Sequence, residues 1–170
     1  MAPKEQNSQV IGQRIRGTDI VFYCSVFYML FYMLFICKGE FVVVENMIVI
    51  TNNPLAKEKL ANEERVVEII FIDETVMKVF EKVRDYVHKG HKLLTHPLMS
   101  SVKPNETPYR TVSITVKPDS SLDMQSLTII EGAIATTNKF LKIGKTPNWT
   151  ENVLNDFQVI DYDLIYHVLI

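Results

Sequence analysis

The hydrophobic positions of this chain change rhythm near residue 47. From Ile20 to Cys37 they run almost unbroken, IVFYCSVFYMLFYMLFIC, 18 residues without a charge. After Met47 they come in short bursts separated by polar turns, the habit of a folded domain. Met47-Ile48-Val49-Ile50 is a β-branched run suited to a buried strand, and it stops at Thr51-Asn52-Asn53-Pro54. Asn53 is a good helix cap and Pro54 fits a first helical turn, so Leu55 to Leu60 predicts a short helix. Val66 to Ile72 predicts a second strand. Asp73 then caps a longer helix in which Val76, Val79, Phe80, Val83 and Val87 share one face, with Gly90 as the stop. Lys92 to Thr95 predicts a third strand.

Beyond a polar loop, Arg110 to Lys117 (RTVSITVK) alternates as an edge strand does. Pro118 to Ser121 turns the chain into a helix whose stripe is Leu127, Ile130, Ile134, Thr137 and Leu141. Asn148 and Glu151 have capping-box spacing and open a last helical segment with Val153, Leu154 and Phe157 for the core. Asp161 to Ile170 fits helix and strand equally. The order β-α-β-α-β favours parallel strands joined by right-handed crossovers. The expectation is an α/β fold: a small three-layer domain with a mostly parallel sheet over residues 47–170, preceded by a hydrophobic N-terminal helix.

Charge separates the two parts further. Four of the 18 Lys+Arg and four of the 20 Asp+Glu precede Met47, so the later residues carry the whole net charge of −2. That balance does not suggest nucleic-acid binding, which needs clustered positive charge, and none is expected. Three readings apply to residues 1–46. The run at 20–37 is at the lower length limit of a membrane anchor, with Arg14 and Arg16 ahead of it and Lys38 behind, flanks that place the N-terminus inside. As a secretory signal it is too long and lacks a small-x-small cleavage site. In the third reading Met47 is the natural first residue. The localisation expected is cytoplasmic, or membrane-anchored through residues 20–37 if that run is genuine. The two cysteines, Cys24 and Cys37, belong to this region. The domain after Met47 therefore has no disulfide framework, thiolate metal site or cysteine nucleophile, which fits a reducing compartment.

Ligands of open parallel sheets bind beyond the carboxyl ends of the strands. Thr51, Asn52 and Asn53 follow the first strand. His96, Ser100, Ser101, Lys103 and Asn105 follow the third, in a loop stiffened by Pro97, Pro104 and Pro108. These eight are the candidate ligand-binding residues. The asparagines offer amide donors and acceptors, Lys103 can neutralise a small anion, and His96 titrates near neutral pH. The plainer alternative is that Asn53 only caps its helix, His96 makes a structural hydrogen bond and the prolines shape a loop. Other motifs fall short. Gly144-Lys145-Thr146 imitates the end of a P-loop, but Lys139 occupies the first glycine position and a helix precedes it. His88, His91 and His96 have no carboxylate or cysteine completing a familiar ligand set, so no metal and no cofactor is expected. Trp149, Tyr162, Tyr166 and His167 suit a core or a partner surface.

Three segments carry a family resemblance: MIVITNNPLAKEKL, VRDYVHKGHKLLTHPLMSSVKPNETPYRT and SLTIIEGAIATTNKF. Over about residues 47 to 165 the chain resembles the GrdX family, small proteins encoded with the glycine, sarcosine and betaine reductase systems of amino-acid-fermenting anaerobic bacteria. The resemblance implies an accessory protein whose partner is a component of such a reductase. It brings no catalytic residues with it, and the domain lacks the cysteine pair expected of a redox component, so an accessory role fits better than an enzyme. Two other classes stay open: a small-molecule-binding or transferase-like α/β enzyme using the His96–Asn105 loop for an anionic ligand, and a membrane-tethered interaction module.

Overall fold

The computed structural model describes residues 46–169. The apolar run at 20–37, and with it the expected N-terminal helix, lies outside the described residues. Among those described, no helix is long and apolar enough to cross a membrane.

Three strands form the sheet: β1 (Met47–Thr51), β2 (Val66–Phe71) and β3 (Thr111–Thr115), in the order β2-β1-β3. Four helices cover it: α1 (Pro54–Leu60), α2 (Val76–His88), α3 (Met124–Ile143) and α4 (Glu151–Leu169). Strand β1 is central and every one of its residues is buried. That explains its unbroken MIVI run, since a strand covered on both faces has no polar side to show. Ile48 and Ile50 pack with Val112 and Ile114 against Val76, Val79, Phe80, Val83 and Val87 of α2 and Ile130 and Ala133 of α3. On the opposite face Met47 and Val49 pack against Ala56 and Leu60 of α1 and Ile165 of α4. The expected three layers are present.

The sheet is mixed, which corrects the expectation of a mostly parallel one. Strands β1 and β2 are parallel, as their short helical crossover requires, but β3 pairs with β1 antiparallel, Ile50 opposite Val112. The expected third strand at Lys92–Thr95 is reduced to one antiparallel bridge, Leu93 to Ile114, on the outer side of β3. Its direction is that of β1, but β3 has inserted between them. Leu94 N–H donates to the Ser113 carbonyl at 3.0 Å and Thr115 N–H to the Lys92 carbonyl at 2.9 Å. The outer edge of β3 is therefore largely occupied by its own chain rather than left open for pairing.

Two helix starts also differ from expectation. Thr75, not Asp73, is the N-cap of α2, and its hydroxyl makes no capping bond. Helix α4 begins at Glu151 with Leu154 N–H bonded to the Thr150 carbonyl, so Thr150 rather than Asn148 takes the cap position, and the ambiguous last stretch is helical. The α1 start is as expected: Asn53 Oδ1 accepts from the N–H groups of Leu55 and Ala56, and Pro54 is the first helical residue. Gly90 ends the α2 region at φ +99°, a conformation that strains any side chain.

Candidate functional site

The chain leaves the buried strand β1 through three polar residues, and each is drawn into a bonded layer. Asn53 N–H donates to Thr51 Oγ1 at 2.9 Å, and the Thr51 and Thr111 hydroxyls lie 2.7 Å apart. Thr111 Oγ1 donates to Asp161 Oδ2 at 2.6 Å while its N–H donates to Asp161 Oδ1 at 3.0 Å. Since Thr111 spends its proton on Asp161, Thr51 is the donor in the hydroxyl pair, and the bonds run in one direction from Asn53 to the carboxylate. Asn53 Nδ2 completes the layer by donating to the Gln158 carbonyl and to Asp161 Oδ2, both at 2.9 Å. One asparagine thus caps α1 and ties it to α4.

Asp161 is 5% exposed. Burial pushes its pKa up; the Arg110 charge and the bonds from Thr111 and Asn53 pull against that. Burial prevails, so the carboxyl holds its proton more tightly than an exposed aspartate does.

Asn52 faces the other way. Its Nδ2 donates to the carbonyls of Glu74 and Pro108, each at 2.9 Å, and its Oδ1 accepts the N–H of Arg110 at 2.8 Å. All its side-chain hydrogen-bonding groups are engaged, so it fixes the loop before α2 and the loop before β3 to the end of β1.

That arrangement leaves Arg110 as the anomaly. It is 3% exposed, yet its Nε has no hydrogen-bond partner, and among the described residues it forms no ion pair. Burial lowers its pKa, and the Asp161 charge opposes this without the two side chains meeting. An unmatched buried donor costs about 1–3 kcal/mol, and more when charged.

The loop residues are spread along the rim. His96 is exposed, with Nδ1 accepting the Leu98 N–H at 3.1 Å, which leaves Nε2 to carry the proton in the neutral ring. Loss of water on the packed side of the ring, followed by the Arg110 charge, lowers its pKa from the ordinary 6.5. Ser100 Oγ accepts the Val102 N–H at 3.0 Å in a local turn, and Ser101 is exposed beside it. Lys103 is an exposed ion-pair partner of Glu106 at 3.1 Å. Asn105 is buried, donating from Nδ2 to the Gly144 carbonyl at 3.2 Å while its Oδ1 stays without a partner. Trp149 secures the same loop by donating from Nε1 to the Glu106 carbonyl at 2.8 Å. His91 is engaged elsewhere, with Nδ1 2.7 Å from the Thr115 carbonyl and its ring edge-on to Tyr86.

Of the eight candidates, the structure joins Thr51 and Asn53 to Thr111 and Asp161, joins Asn52 to Arg110, and sets His96 within the field of that arginine. Arg110 and Asp161, named from the sequence only as the starts of elements, were not among the candidates. A signal for Arg110 existed: in RTVSITVK it falls in register with Val112, Ile114 and Val116, the core-facing positions.

Compared with known families, residues 48–170 match the family model for GrdX-like protein. The chain belongs to the GrdX-like protein family. The match takes in the whole sheet beyond Met47, all four helices and the polar layer at the strand ends. No curated protein and no solved structure matches the chain.

Proposed function

We propose that this GrdX-like protein is a cytoplasmic accessory protein of the glycine, sarcosine and betaine reductase systems, working by binding a reductase component rather than by carrying out redox chemistry itself. The observation that carries this reading is the extent of the family match, which spans nearly the entire described domain. The absence of cysteine from residues 47–170 supports it, since thiol redox chemistry requires a thiolate that this domain does not possess. The fully bonded asparagines at the strand ends also suit a scaffold better than a nucleophile-bearing centre.

The test is sedimentation of the full chain with each purified component of the glycine, sarcosine and betaine reductases. Saturable complex formation with one component is the predicted outcome. Independent sedimentation with every component would refute the reading.

The rival with structural support is small-molecule binding at the same end of the sheet, and it rests on Arg110 rather than on Lys103 as the anion-binding cation.

A further inference from the structure

We propose that the end of the sheet around Arg110 binds a small carboxylate, gripped by the guanidinium and with His96 at the rim. This inference does not depend on the accessory role.

The first argument is the arginine itself. Residues in register with Val112, Ile114 and Val116 face an apolar core, and a purely structural site there is served as well by an apolar side chain. Arg110 instead stands there at 3% exposure with a buried Nε that nothing satisfies. A guanidinium presents its donors as a planar fork, which a carboxylate matches with two parallel bonds.

The second argument is that the protein's own anion does not fill this role. Asp161 is committed to Asn53 and to both donors of Thr111, and forms no ion pair with the arginine. The third is preorganisation. Asn52 holds the Arg110 backbone from both sides, accepting its N–H at 2.8 Å and donating its own N–H to the Arg110 carbonyl at 3.4 Å. The same side chain reaches the Glu74 carbonyl, so the Arg110 backbone is tied to the loop before α2, whose positive end lacks a side-chain cap. This is the carboxyl end of the parallel pair β1 and β2, where ligands of such sheets bind.

Charge chooses between oxyanions. Around the guanidinium, His96 has a lowered pKa and Asp161 lies near enough for their charges to interact, with Asp73 and Glu74 exposed beyond the β2 end. With carboxyl groups already around it, Arg110 receives a carboxylate monoanion against less repulsion than a phosphate dianion.

The experiment is a proton NMR titration of His96 in the full chain, its signal assigned with His96→Gln, in sodium acetate, sodium chloride and sodium phosphate at matched ionic strength. A bound carboxylate neutralises the Arg110 field, so acetate is expected to raise the His96 midpoint saturably relative to chloride, with phosphate weaker. In Arg110→Met the midpoint is expected to start higher and to lose its response to acetate. Identical midpoints in acetate and chloride would overturn the proposal. So would an acetate response that survives in Arg110→Met, or a phosphate response stronger than that of acetate. Should Arg110→Met not fold, the acetate and chloride titrations of the unaltered chain decide alone.

Discussion

Asn52 and Arg110 hold each other by two hydrogen bonds, one from each backbone N–H, the first received by a carbonyl at 3.4 Å and the second by a side-chain oxygen at 2.8 Å. The pair extends the β1/β3 ladder one step past its last strand residues, Thr51 and Thr111. Asn52→Ala removes three bonds and strands the Arg110 N–H, so a loss of about 2–4 kcal/mol in unfolding free energy is predicted. Asn52→Asp retains the acceptor for Arg110 but turns an oxygen toward the Glu74 and Pro108 carbonyls. It should be at least as destabilising as alanine at neutral pH, which urea denaturation of the two variants will measure.

Asn53 gives a second prediction through its carboxylate neighbour. Asn53→Ser keeps a capping oxygen but loses the ties to α4, and a loss of about 1–3 kcal/mol is predicted. Asn53→Asp also keeps the cap, yet it sets a second carboxylate against Asp161. Crowding raises the folded-state pKa of such a pair above the unfolded value, so the folded state holds the extra proton more tightly. The Asp variant should be the less stable of the two near neutrality and should recover ground on the serine variant as pH falls. A constant difference across pH contradicts this.

Asp161 titrates with the same sign. Its folded-state pKa lies above the ordinary 3.8 because burial outweighs the Arg110 charge. Protonation therefore favours the folded state, and the group's contribution to stability declines as pH rises through the folded value. Relative to Asp161→Asn, the unaltered protein should gain stability as pH drops from neutral toward 3.8 and level off below it. Denaturation curves at a series of pH values check the slope, and a rise in the opposite direction would count against an Asp161 dominated by burial.

Asp123 should behave oppositely. It caps α3, with Oδ2 accepting the Ser126 N–H at 2.8 Å, and its bonds with Ser126 lower its pKa below 3.8. Asp123→Ala is predicted to cost about 1 kcal/mol near neutrality. That cost should shrink as pH falls below 3.8 through the lowered folded-state value, because the carboxylate it removes is then being protonated anyway.

Gly90 allows the sharpest single substitution. Its φ of +99° is one that other residues rarely adopt, and an added Cβ would run into the Asp119 carbonyl. Asp119 N–H donates to the Gly90 carbonyl at 2.9 Å, so the two segments cannot separate without losing that bond. Gly90→Ala should therefore cost more than about 2 kcal/mol, well above an ordinary surface change. A thermal midpoint within a degree or two of the unaltered protein's would show that the turn yields.

What was legible in the sequence is what is local. The MIVI run, the Asn53-Pro54 helix start and the five-residue stripe of α2 each follow from spacing within a few residues, and all five of Val76, Val79, Phe80, Val83 and Val87 are buried. The cap of α2 was missed because Asp73 and Thr75 stand two apart and only the backbone decides between them; Thr75 has the extended φ of −69° and ψ of 160° of a cap. The mixed sheet was missed because strand pairing is non-local: nothing within RTVSITVK says that it will lie antiparallel to MIVIT. The polar layer was half legible. Thr51, Asn52 and Asn53 announce themselves after a strand, whereas Asp161 comes from a helix 108 positions beyond Asn53. Arg110 was hidden because it reads as the polar start of a strand. Its register with Val112 and Ile114 would have marked it as a charge on the core side.

The proposed accessory role is tested most directly by reconstituting glycine reductase turnover from its purified components with and without the full chain. The full chain alone should form no product, and adding it to the components should change either the rate or the lifetime of their activity. Turnover by the full chain alone, or a rate and lifetime indifferent to its presence, would contradict the account.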